Sequence, residues 1–209
     1  MDRESIQQTI RERRTIRTLS DQEISIDIIN ELLESASYAP YHSKNEPWEV
    51  IIVKTLQDRQ LFVEKIMESY DRLNSWARYD QQNQGSARKK TQDYFLNVPL
   101  TLIVTAPINE SPKKNLEAIG AVSAFIQNFQ LVAWSKQIGV TWRTIPVIFD
   151  EAFKQEIGVV ADRQIIGLLS VNRIDEPIKL PTSYRKPVTH WSAHLSEKLK
   201  GMSESDEIS

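Results

Sequence analysis

Apolar positions along this chain alternate between two repeats, one suited to helices and one to buried strands. Residues 4 to 14 read as a first helix, with Ile6 and Ile10 four apart. A second helix, capped by Ser25 or Asp27 and running to about residue 38, places Ile28, Ile29, Leu32, Leu33 and Ala36 at helical spacing. Ala39-Pro40 stops it, because the residue before a proline avoids the helical region. Residues 48 to 53 are a short β-branched apolar run, hence a buried strand. A long helix over 56 to about 79 sets Leu61, Phe62, Ile66, Tyr70, Leu73 and Trp76 on one side. Residues 80 to 90 are polar without apolar anchors and read as a mobile connection or lid. Residues 100 to 106 form another buried strand. Residues 115 to 137 are the longest apolar helical pattern, predicting a helix buried on most sides, in the core or against a second subunit. Residues 138 to 142 give a short strand, 150 to 157 a brief helix, and 164 to 171 a last core strand. From residue 172 onward, Pro177, Pro181 and Pro187 punctuate an extended arm carrying Ile178, Leu180, Tyr184, Val188 and Trp191.

Composition narrows the function. Forty per cent of the 209 residues are apolar, enough for a real core. The net charge of −2, from 26 basic and 28 acidic residues, argues against a generally basic nucleic-acid binder. No apolar run approaching the roughly 18 residues of a membrane span is expected, and the first residues carry no secretory h-region. With no cysteine, disulfides, thiol catalysis and thiolate metal sites are excluded, which fits a cytoplasmic protein. His190 and His194 are four apart, but they lie in a polar, proline-flanked tail that does not suggest a metal site.

Three stretches carry candidate chemistry. Arg13-Arg14-Thr15-Ile16-Arg17 holds three guanidinium groups and a hydroxyl within five residues. Arginine's planar fork suits phosphate oxygens and planar hydrogen-bonding rings. In extended backbone Arg13, Thr15 and Arg17 share one side. The plainer reading is a solvated helix end, with cations near the negative pole of the dipole. The second stretch runs from Ala39-Pro40 through Tyr41, His42, Ser43, Lys44, Asn45 and Glu46 to Pro47-Trp48, a polar loop opening directly into a strand. The third is Gly139-Val140-Thr141-Trp142-Arg143-Thr144, an Arg and Thr emerging from a strand. No Gly-x-Gly-x-x-Gly follows a strand and only six glycines are present, so any phosphate must be gripped by side chains.

In this order and at these separations the three stretches resemble the nitroreductase family of FMN-dependent oxidoreductases, over roughly residues 4 to 190. Arg-Arg-Thr-Ile-Arg resembles that family's Arg-Arg-Ser-x-Arg. Ala39-Pro40 with Pro47-Trp48 resembles its Ala-Pro-Ser…Asn-x-Gln-Pro-Trp, and Gly139-x-x-Trp142-Arg143-Thr144 its third element. Glu46 stands where glutamine is usual, Tyr41-His42 where two serines are common, and Lys44 near the usual asparagine.

The resemblance implies an α+β fold: a three-layer sandwich with a central, mostly antiparallel sheet flanked by helices, in an intertwined homodimer with FMN at the subunit interface. Residues 1–193 would be one domain, its arm 172–193 wrapping the partner, with 194–209 a flexible tail. Arg13 and Arg14 would bind the FMN phosphate or ribityl end, with Thr15 hydrogen-bonding nearby. Arg17 would face the pyrimidine edge, where a cation stabilises the negative charge of reduced flavin by about 1.5–3 kcal/mol. Tyr38 and His42 would reach the cofactor of their own subunit or of its partner, with Lys44 and Asn45 in the same loop. Trp142, Arg143 and Thr144 would line the flavin, Arg143 near the phosphate, and Arg185 or Lys186 would close the phosphate end. Hydride from NADH or NADPH would pass through the flavin to a nitroaromatic or quinone-like acceptor in a ping-pong cycle, with no protein nucleophile and no metal. Trp76, Arg78 and Tyr79 would meet the acceptor from a lid over residues 70 to 90. Two other readings stay open: a flavoenzyme of the same fold with another reaction, such as dehalogenation or dehydrogenation, and a non-enzymatic ligand-binding dimer.

Overall fold

The computed structural model describes residues 3–20, 22–42, 45–175, 180 and 182–199. The chain divides into two compact units, residues 1–178 and residues 179–209.

In the first unit, helix α1 (Arg3–Glu12) and helix α2 (Ile26–Ala36) precede strand β1 (Glu49–Val53). Helix α3 (Leu56–Arg72) begins at a reciprocal cap, in which Asp58 N donates to Thr55 Oγ1 (3.1 Å) and Thr55 N to Asp58 Oδ2 (3.0 Å). Asn74, in the left-handed region at φ 48°, turns the chain into a 3-10 segment over Ser75–Arg78. Helix α4 (Gln81–Asn97), strand β2 (Leu100–Pro107), helix α5 (Pro112–Ser135), strand β3 (Ile138–Arg143), helix α6 (Glu151–Glu156) and strand β4 (Arg163–Arg173) follow. The strands pair antiparallel throughout, in the order β1-β2-β4-β3, so β3 is an edge strand.

Alternation along the strands divides the core in two. Leu100, Leu102 and Val104 of β2, with Val140, Leu169 and Val171, pack against α2 and α5. Ile103, Ile165 and Leu168 face the opposite way, toward Phe62, Ile66 and Tyr70 of α3, Phe95 of α4 and Phe153 of α6. The result is the expected α+β three-layer sandwich.

Several expectations are corrected. The polar run 80–90 is not a loose connection but the N-cap and first ten residues of α4, a 17-residue helix. It lacks an apolar face, yet Gln, Ala, Arg and Lys favour helix intrinsically. Ion pairs hold it as well: Lys89 to Asp93 one turn on (2.7 Å), and Arg88 to Asp71 of α3. Its last turn anchors through buried Phe95. The helix expected over 56–79 ends at Arg72, and Leu61 and Leu73 are exposed while Val63 takes an inward position. Helix α5 is long and apolar enough to cross a membrane by length and composition, contrary to the expected lack of such a run. Here its Phe125, Ile126 and Phe129 are core residues on the sheet. Residues 172 and 173 belong to β4 rather than to an arm.

In the second unit, Val188–His190 form a 3-10 turn. Residues 195–199 form a helical turn. It is capped by His194 N donating to Glu197 Oε2 (3.2 Å).

Candidate active site

The arginine stretch leaves α1 without regular structure and alternates as extended chain does: Ile16 is 4% exposed, while Thr15 and Arg17 face solvent. Two anchors fix it. Thr141 Oγ1 of β3 donates to the Ile16 carbonyl (2.8 Å), and a Cβ on Gly139 would fall 2.8 Å from Ile16 Cβ, so only glycine admits this approach. A few residues on, Ser20 Oγ and Gln22 Nε2 both donate to Asp175 Oδ1 (2.8 and 3.0 Å), just beyond β4. The segment's backbone is therefore clamped to the sheet while Thr15 and Arg17 point outward. Arg13 and Arg14 are half-buried. Arg14 Nη1 donates to the carbonyls of Arg11 and Arg13 (2.5 and 2.9 Å), closing the C-terminal end of α1.

At the other end of β3 two neighbours part company. The Trp142 indole joins the α2/α5 side of the core, and its Nε1 donates to the Ile166 carbonyl (3.1 Å). Ile166 is the extra residue of a β-bulge: Val104 pairs with Gly167 and Thr105 with Ile165. The indole lies so close to β4 that a Cβ on Gly167 would sit 2.1 Å from Trp142 Nε1. Arg143 points to the opposite face. Its guanidinium lies 4.4 Å from the centroid of the Tyr94 ring, and its Nε is buried without a hydrogen-bond partner. Arg143 lines a cavity of about 650 Å³ with Tyr70 of α3, Arg78 and Tyr79 of the 3-10 turn, and Lys90 and Tyr94 of α4. Burial raises the Tyr70 hydroxyl pKa above its usual value, and the nearby Arg78 and Arg143 charges oppose that rise. Thr144 is exposed.

The Ala39–Trp48 loop starts from buried Ala39, whose N–H donates to the Ala36 carbonyl (3.1 Å), and is tied down at its far end. Trp48 stacks on Phe125 (centroids 5.1 Å apart, planes at 16°). The Pro47 carbonyl accepts a 2.6 Å hydrogen bond from buried Arg163 Nη2. Arg163 also reaches Thr105 Oγ1 (2.8 Å) and Glu49 Oε2 (3.0 Å). Tyr38 is 84% exposed and His42 and Asn45 are exposed. Lys44 lies outside the described residues. Arg185 lies in the second unit, exposed, its Nη1 donating to the Tyr184 carbonyl (2.9 Å).

The sheet thus brings the first and third stretches onto one strand and anchors the second at Pro47. Sequence reading missed four contributors: Arg163, which clamps the loop; Asp175, which pins Ser20 and Gln22 just after the arginine segment; and Lys90 and Tyr94, both in an unrecognised helix. Arg163 opens β4 just ahead of the apolar run Ile165–Leu169, where a charged side chain at a strand end gives no sequence signal.

Residues 10–171 match the Nitroreductase family, and the chain belongs to it. YfhC of Bacillus subtilis (strain 168), provisionally assigned as an NAD(P)H nitroreductase, is 27% identical over 80% of this chain and 83% of its own length. The crystal structure of a nitroreductase-like family protein from Bacillus cereus superposes with a TM-score of 0.79 at 27% identity, covering 91% of this chain and 95% of that one. A structure of oxidised iodotyrosine deiodinase bound to FMN and 3-iodo-L-tyrosine shares the fold at a TM-score of 0.68 and 14% identity, over 90% of this chain and 100% of that one.

Proposed function

We propose that the protein is an FMN-dependent oxidoreductase that uses NADH or NADPH to reduce a small electron-poor acceptor, nitroaromatic or quinone-like. The carrying observation is the clamp on the arginine segment: Ile16 is bound into β3, so Arg13, Thr15 and Arg17 are presented on fixed backbone rather than on a frayed helix end. This donor set fits a ribityl phosphate and the hydrogen-bonding edge of a flavin, where charged donors are strongest. Arg13, Thr15 and Arg17 would hold the cofactor, Arg14 would steady the end of α1 beside them, and the Trp142–Thr144 backbone would border the ring. When bound, FMN supplies the two-electron chemistry, accepting hydride from the nicotinamide and giving it to the acceptor in a second half-reaction. The chain's tasks are to position the flavin, to place cations near its reduced form, and to bind the two substrates in turn. The B. subtilis relative's name supports the nicotinamide donor.

The working form would be a cytoplasmic homodimer. An apolar groove of about 240 Å³ bounded by Ile6, Leu131 and Val132 lies between α1, α2 and α5, and exposed Tyr38 and His42 are available to a partner's site. Arg185 or Lys186 would close the phosphate end in that assembly.

The purified protein is expected to be yellow and to bleach when NADPH is added anaerobically. A colourless protein that cannot be reconstituted with FMN would rule this function out. The likeness to iodotyrosine deiodinase supports a second reading, reductive dehalogenation of an iodinated phenol. Comparing turnover of nitrobenzamide and iodotyrosine by one preparation distinguishes the two.

A further inference from the structure

We propose that the cavity between α3, α4 and the end of β3 is an acceptor pocket selective for aromatic anions, such as ring carboxylates or sulfonates, with Arg78, Lys90 and Arg143 as the selecting groups. That the bound anion is an electron acceptor rests on the function proposed above; that the cavity prefers an anion does not.

The charge pattern carries the inference. Three cations on the same helices have carboxylate partners: Arg72 with Asp150 and Glu156 (2.9 and 3.0 Å), Arg88 with Asp71, and Lys89 with Asp93. Among the described residues the three cations lining the cavity have none, and no aspartate or glutamate lines it. In a chain of net charge −2, three unpaired like charges around one concavity concentrate positive potential where a counter-anion relieves it. Arg143 adds a buried Nε–H with no acceptor, an arrangement that costs stability unless a ligand supplies one.

The remaining chemistry favours an aromatic ligand. The guanidiniums are held, not loose: Arg143 lies over Tyr94 at 4.4 Å and Arg78 over Tyr79 at 5.0 Å. Tyr70, Tyr79 and Tyr94 supply ring surface around them. A volume of about 650 Å³ suits a small molecule rather than a bare ion. The lack of a lining carboxylate leaves an ammonium without a partner, so a free amino acid such as iodotyrosine is a poor match.

The step is balanced when para-nitrobenzoate is the acceptor. Its nitro group receives one hydride, originating on NADPH, and one solvent proton. One N–O bond breaks, water leaves, and nitrosobenzoate and NADP⁺ remain.

The test uses the FMN-loaded protein with para-nitrobenzoate and its neutral isostere para-nitrobenzamide, alongside calorimetric binding of benzoate and benzamide. The expected kcat/KM preference for the anion is about tenfold or more at low salt, shrinking as salt rises. Arg78→Gln and Lys90→Gln should each cut that preference about threefold or more while keeping FMN, whereas Lys89→Gln, paired with Asp93, should not alter it. Equal kcat/KM values for anion and amide in the wild type overturn the proposal. So do variants that alter only the NADPH-to-NADH ratio, since the cavity would then serve a dinucleotide phosphate. A protein that holds no flavin yet binds benzoate over benzamide refutes the oxidoreductase reading and leaves the anion preference standing.

Discussion

Two cationic regions share strand β3 and are built by opposite means. At its Gly139 end, the arginines are consecutive in sequence and held through backbone: Ile16 packs on Gly139 and its carbonyl is bound by Thr141. At its Arg143 end, the cations come from three separate elements, and two of them are held by the faces of Tyr79 and Tyr94. The first design presents several donors in one fixed spacing, as a cofactor of constant shape requires. The second distributes charge around a volume, as a pocket for an exchangeable ligand requires.

The comparison breaks most completely where the two regions meet. Gly167→Ala drives a Cβ into the Trp142 indole, which must abandon the Ile166 carbonyl. A loss of about 3 kcal/mol is expected, seen as a lower denaturant midpoint, together with damage to both functions. Arg13→Ala sharpens the contrast. FMN retention through dialysis should fall about tenfold or more, since a charge-assisted hydrogen bond is lost, while Lys90→Ala keeps its flavin. Equal loss in both would erase the distinction between the regions.

A smaller effect is expected at Asp71, which joins α3, the 3-10 turn and α4. It accepts from Trp76 Nε1 (2.7 Å) and Arg88 Nη2 (2.9 Å). The Arg88 hydrogen bond, opposed by burial and aided by Trp76, holds its carboxyl below the usual range. A depressed folded-state pKa stabilises above the unfolded value of about 3.9 and is lost as pH falls through the folded one. Anion preference should therefore be level from neutral down to mildly acidic pH and weaken only below the ordinary carboxylate range. Asp71→Asn should raise the acceptor KM about two- to fivefold at neutral pH, as expected for an exposed pair, without releasing flavin. Steady-state kinetics and flavin absorbance check both points.

The first region was legible because its residues are contiguous and its neighbours, the core strands and α5, announce themselves by apolar runs. The second was not. Helix α4 buries only Phe95, so a search for periodic apolar positions passes over it, and Lys90 with it. Trp142 and Arg143 read as one lining unit, but strand alternation sends them to opposite faces. Arg163 was invisible for a related reason: a buried arginine is rare enough that its role emerges only when Thr105, Pro47 and Glu49 surround it.

The bulge at Ile166 has an evolutionary consequence. By fastening the indole of Trp142 to β4, it lets Arg143, the last residue of β3, serve a wall that the helices mostly complete. Substitutions along the exposed surface of α4 can then reshape the cavity, generation by generation, while the arginine segment clamped at Gly139 stays untouched.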